Sequence, residues 1–95
     1  MAKTLALKVL TGDGVAVEDE AVSIIAPGEP GYLGILYRHA PLVTTLKPGT
    51  LTWRRPQGER RTLRIGAGLL EIVHNRCTIL TSAVSQPESV APAGG

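Results

Sequence analysis

Short apolar runs with a two-residue period recur from Thr4 to Ala83, and glycine, proline or asparagine cuts each one off before three turns of helix could form. Leu5, Leu7 and Val9 alternate with Ala6 and Lys8, the signature of a half-buried strand, and Gly12-Asp13-Gly14 then supplies a turn. Val15 and Val17 resume the alternation. Val22 to Ala26 form a third stretch, ended by Pro27-Gly28-Glu29-Pro30-Gly31, which cannot continue a sheet interior. Tyr32 to Leu36 and Leu42 to Leu46 read as short strands on either side of Tyr37-Arg38-His39-Ala40-Pro41, with Lys47-Pro48-Gly49 as closing turn.

Leu51 and Trp53 share a face in the next run, and Arg55 to Arg60 reads as a hairpin loop. The return strand has Leu63 and Ile65 inward and Thr62 and Arg64 outward. A last pair, Leu69 to Val73 and Cys77 to Ala83, is joined by His74-Asn75-Arg76. Short strands at this spacing predict an all-β fold, a flattened sandwich or barrel of about ten strands. The 95 residues suffice for one domain, assigned to 1–84, with 85–95 read as a mobile tail of proline, alanine and glycine. The core must be aliphatic, because the chain has no Phe, one Trp and two Tyr.

Little here points to catalysis. A Ser-His-Asp hydrolase needs a nucleophile, a base and an orienting acid, and His39 and His74 are the only candidate bases. Neither stands in a nucleophile elbow or in metal-ligand spacing, and the single cysteine, Cys77, makes a poor zinc set and excludes an internal disulfide. A lone free thiol suits a reducing compartment. The glycine groups lack the Gly-Lys-Ser/Thr and following helix of a phosphate loop. Glu18, Asp19 and Glu20 are expected at a turn, where mutual repulsion favours exposure. No run reaches the roughly 20 apolar residues of a membrane-spanning helix, and the N-terminus lacks a signal-peptide pattern.

The densest charge is Arg54, Arg55, Arg60, Arg61 and Arg64, which a hairpin would stack across its turn. Solvation and Glu59 offset that repulsion in one reading; an acidic partner surface does so in another. Nucleic acid is a third, although the net charge of +2 is small and Trp53, the nearby aromatic, should face the core.

Three blocks resemble the epsilon subunit of F-type ATP synthases. Residues 28–51, "GEPGYLGILYRHAPLVTTLKPGTL", are similar to its G-x-x-G-x-(F/L)-G-(I/V)-L-P-x-H-A-P-L-(V/L)-T-x-L-K-P-G segment. "IGAGLLEIVHNRCTIL" resembles its V-S-G-G-F-L-E-V-x-x-N-x-V-T-V-L, and residues 5–28 resemble its first three strands. The likeness covers about residues 4–84. Tyr37 stands where the family has proline, Tyr32 where relatives often carry an acidic or polar residue, and Ala67 at the first glycine of a Gly-Gly pair, leaving Gly68 to supply the permissive backbone.

The resemblance implies a non-catalytic subunit of the rotor's central stalk, without cofactor, that binds the gamma subunit and the polar loops of the c-ring. It would couple ion translocation to ATP synthesis or hydrolysis, from the cytoplasmic side of the bacterial plasma membrane. The ring-facing loops would then hold Glu29, Gly31, Tyr32 and Leu33, and Arg38, His39, Ala40, Pro41 and Leu42. The family's C-terminal helical pair has no counterpart in residues 85–95, where Pro87 and Pro92 oppose helix formation, so neither a helical brake nor an ATP site is expected. The competing readings are a small basic barrel binding nucleic acid through the Arg54 to Arg64 hairpin, and a hydrolase using His39.

Overall fold

A computed structural model describes residues 3–86, in which all regular structure is strand. In chain order the strands are β1 (Leu5–Thr11), β2 (Gly14–Ala21), β3 (Ser23–Pro27), β4 (Tyr32–Leu36), β5 (Leu42–Leu46), β6 (Gly49–Arg54), β7 (Arg60–Ile65), β8 (Gly68–Val73), β9 (Arg76–Thr81) and β10 (Val84–Ser85). They form two five-stranded sheets, ordered β2-β1-β9-β8-β5 and β10-β7-β6-β3-β4. The alternation of the sequence is the alternation of burial: Leu5, Leu7 and Val9 from the first sheet, and Ile24, Leu51, Trp53 and Leu63 from the second, meet in one aliphatic core. Each fully buried leucine or isoleucine there contributes about 1.5–3 kcal/mol.

Local chemistry explains the joints. His74 and Asn75 both take positive φ, 50° and 60°, which makes the β8–β9 connection a two-residue turn of the kind that matches strand twist. Gly58 at φ 101° closes the β6–β7 hairpin, where Arg55 N–H donates to Glu59 O at 2.8 Å. β1 and β9 run parallel, and the remaining strand pairs are antiparallel.

The structure corrects the sequence reading at Val15, Asp19, Gly68 and Ser85. Val15 and Val17 do not share a face: the β1–β2 register skips Ala16, and this bulge turns Val15 outward, 55% exposed, beside Leu10. Asp19 is not at a turn but within β2, facing inward. β4 and β5, successive strands in the sequence, are the end strands of different sheets, so the segment between them is a crossover. Gly68 has no positive φ; it is required because a Cβ there would overlap the Leu80 carbonyl oxygen of the paired strand. Ser85, placed in the tail by the sequence, closes β10, while residues 87–95 of that tail lie outside the described residues.

Candidate functional site

The registers place the two candidate loops at opposite ends of β4. Residues 28–31 precede Tyr32; residues 37–41 follow Leu36, roughly 17 Å away at the usual rise per residue. What lies between them is an edge of the sandwich, where β4 and β5 are the end strands of their sheets and an isolated Gly28–Leu46 bridge links the sheets.

Each loop is braced. In the first, Glu29 N–H donates to Thr45 O at 3.0 Å, and the Thr45 hydroxyl donates to Glu29 Oε1 at 2.6 Å. Tyr32 leaves 56% of its surface exposed while its hydroxyl accepts from Thr50 N–H at 3.2 Å. Leu33 packs against the core from its edge. Gly31 N–H closes a turn on Gly28 O at 3.0 Å.

In the second, His39 N–H donates to Leu36 O at 3.0 Å across a turn whose third residue, Arg38, has φ 71°. This is the geometry of a type II turn, in which proline is common at the second position and that position is Tyr37 here. Arg38 N–H donates to Asn75 Oδ1 at 2.6 Å, and the Asn75 carbonyl accepts Ala6 N–H at 2.9 Å, so one turn residue ties β1 to the crossover. His39 Nδ1 lies 2.7 Å from Ala40 O, and donation from the ring fixes the imidazole against its own loop. Ala40 and Pro41 are exposed; Leu42 is half-buried where β5 begins.

The crossover and the β8–β9 turn bring His39 and His74 into one open cleft of about 270 Å³ with Arg38 and Asn75. Among the described residues neither imidazole meets a carboxylate or hydroxyl, and no group of three or more metal-ligating side chains forms. The Cys77 thiol is buried, and burial pushes its pKa up to about 12, far from a reactive thiolate.

The five arginines separate into two sets. Arg55 Nε stands 3.2 Å from Asp19 Oδ2, an ion pair whose N–H is not aligned for a hydrogen bond, while Arg55 and Arg61 each reach Glu59 at 3.2 Å. Arg54, Arg60 and Arg64 stand exposed, and among the described residues they make no ion pair. Arg54 and Arg60 are direct cross-strand partners, a like-charge pairing that costs stability.

Sequence reasoning missed Asp19 and Asn75. Asp19 accepts Trp53 Nε1–H at 2.9 Å and the Glu20 amide at 2.8 Å. Burial works against its charge most strongly; the Trp53 and Glu20 hydrogen bonds and then Arg55 and Arg61 outweigh it, leaving the pKa below the ordinary value. The signal was present only as period: Asp19 is two residues from Val17 and Ala21, on the inward side of its strand.

Residues 4–87 match the family model described as the ATP synthase delta/epsilon chain beta-sandwich domain. This chain belongs to that family. Its relatives include proteins named ATP synthase epsilon chain: that of Moorella thermoacetica is 37% identical over 87 residues, covering 92% of this chain and 65% of the relative. The Koribacter versatilis protein is 38% identical over 90 residues, covering 95% and 63%. The chain thus spans a little under two thirds of the length of these two. The same fold also appears in solved structures. A chain of the Euglena gracilis mitochondrial ATP synthase structure, of OSCP, F1 and c-ring, superposes with a TM-score of 0.86 at 20% identity, covering 95% of this chain and 57% of that one. One from the Tetrahymena thermophila central stalk and c-ring structure gives 0.74 at 17% identity, covering 97% and 72%. At such identities the likeness is one of fold.

Proposed function

We propose that this sandwich is a non-catalytic coupling element of an ATP synthase rotor, held to a gamma subunit and resting on the c-ring through its β4–β5 edge. The observation that carries the reading is the bracing of both edge loops. Glu29 is bonded to Thr45 of β5 and Arg38 to Asn75 of the β8–β9 turn, so both loops are clamped to the first sheet, while Tyr32 is bonded to Thr50 within the second. A part that transmits torque must not deform, and cross-sheet bonds at its contact surface provide that stiffness. Apolar side chains flank the same edge on both faces: Tyr32 and Leu36 from β4, 56% and 61% exposed, and Val43 from β5, 66% exposed. Exposed apolar side chains gathered at one rim suit a protein contact.

Among the described residues no helix is long and apolar enough to cross a membrane, so we assign membrane association on the bacterial cytoplasmic side to the assembly. The nucleic-acid reading loses support because Trp53 is 4% exposed and offers no stacking surface beside the arginines.

Cysteine cross-linking tests the placement. Tyr32→Cys and Arg38→Cys, each in an assembled enzyme with a cysteine in the c-ring polar loop, are expected to cross-link to the ring; the buried Cys77 does not compete. Efficient cross-linking from Lys8→Cys or Glu18→Cys, on the far side of the first sheet, with none from the edge, would overturn it.

A further inference from the structure

We propose that the half of β7 left without a strand partner on this side among the described residues is a docking edge for a strand from another polypeptide, one carrying carboxylates on alternate residues. β10 pairs only Val84 with Ile65 and Ser85 with Arg64. Gly66 N–H donates to Ala83 O at 2.9 Å on this side, so the backbone groups of even-numbered residues face outward along it. Next in that series are Thr62 and Arg60, exposed and without a strand partner on this side among the described residues. Pro87 is the residue that would face Thr62 in this register, and proline has no N–H to donate. An unpaired row of amides and carbonyls is a template for an added strand.

Charge defines the occupant. Arg60, Thr62 and Arg64 project together from the outer face, with Arg54 directly across from Arg60. None of the three arginines has a carboxylate within ion-pair distance among the described residues. An added antiparallel strand would set one alternate side chain beside Arg60 and the next beside Thr62, diagonally between Arg60 and Arg64. Glutamate or aspartate at both positions relieves the Arg54–Arg60 repulsion that the isolated sheet tolerates. Intervening side chains would turn toward a cleft of about 350 Å³ between the edges of β2 and β7, which includes Val17, Asp19, Trp53, Arg61, Leu63 and Gln86. This edge lies on the side of the sandwich away from β4 and β5, so the inference stands independently of the ring contact.

The test is a nuclear magnetic resonance titration of the full chain with a capped hexapeptide of alternating glutamate and valine. We expect saturable shifts confined to the Arg60–Arg64 amides and the Trp53 indole N–H. A peptide N-methylated on its pairing side should lose at least tenfold in affinity. The double variant Arg60→Glu with Arg64→Glu should also weaken the glutamate peptide at least tenfold and acquire binding to a lysine-valine peptide. The proposal fails if no saturable shift develops, if glutamate and lysine peptides bind equally, or if N-methylation has no effect. It fails equally if the Thr62 amide is already protected from exchange before peptide is added, because the edge would then be covered by the chain itself.

Discussion

Arg38 and Asn75, 37 positions apart in the chain, are joined by a backbone amide donating to a side-chain oxygen at 2.6 Å. The bond fastens the crossover between the two sheets to the β8–β9 turn of the first one. Asn75 suits this post because it tolerates φ 60° and carries an acceptor; glycine supplies the first property alone, and alanine neither.

Asn75→Gly retains the backbone conformation and removes the acceptor. The expected cost is about 1 kcal/mol, the net worth of one such hydrogen bond, read as a shift in urea midpoint. Hydrogen exchange gives the more specific signal: the Arg38 amide should lose protection while amides in β6 and β7 keep theirs. Unchanged protection at Arg38 would mean the bond does not form in solution.

Asp19 links the edge of the first sheet to Trp53 and Arg55 of the second, and its lowered pKa makes this clasp dependent on acid. The unfolded chain binds a proton at Asp19 more readily than the folded one. The contribution is therefore complete above the ordinary carboxylate value and is lost as pH falls through the lowered folded value. Asp19→Asn should flatten the decline of stability on the acid side, with a smaller stability at neutral pH, in denaturant titrations at stepped pH. A slope identical to that of the parent chain would remove Asp19 from the account.

Gly68 shows where a glycine is demanded by contact. With no positive φ, alanine would be tolerated on conformational grounds; the Leu80 carbonyl oxygen forbids its methyl. Gly68→Ala should cost about 1–3 kcal/mol by forcing β8 and β9 apart. Ala67→Gly should stay within about 1 kcal/mol of the parent. Equal effects of the two changes in thermal denaturation would contradict the steric reading.

Tyr37 occupies the second position of a type II turn, ahead of Arg38 at φ 71°. No backbone hydrogen bond engages its N–H among those described outside the strands, and β4 before it is extended, so proline fits without losing a partner. Tyr37→Pro should stabilise the domain by about 0.4–1 kcal/mol through the unfolded chain. A net loss of stability would show that the tyrosine ring itself holds the crossover.

Most of the architecture was legible because period-two burial is a local property. Leu5, Leu7, Val9, Leu63 and Ile65 announce their side of the sheet within five or six residues, and all are buried. The resemblance in residues 28–51 added the family that the comparisons bear out. Pairing was not legible, since nothing within Tyr32 to Leu46 states that β4 and β5 join different sheets. The bulge at Ala16 turns on one skipped residue, and β10 is too short to carry a pattern. Asp19 looked exposed because its neighbours are acidic; its partners, Trp53 and Arg55, come from a distant strand and loop.

The central claim is mechanical coupling, and the decisive measurement is simultaneous ATP hydrolysis and ion pumping by the reconstituted enzyme with and without this subunit. The account predicts that omission leaves hydrolysis running while pumping per ATP collapses, and that adding the chain back restores it. Pumping per ATP that is unchanged by omission would contradict the account.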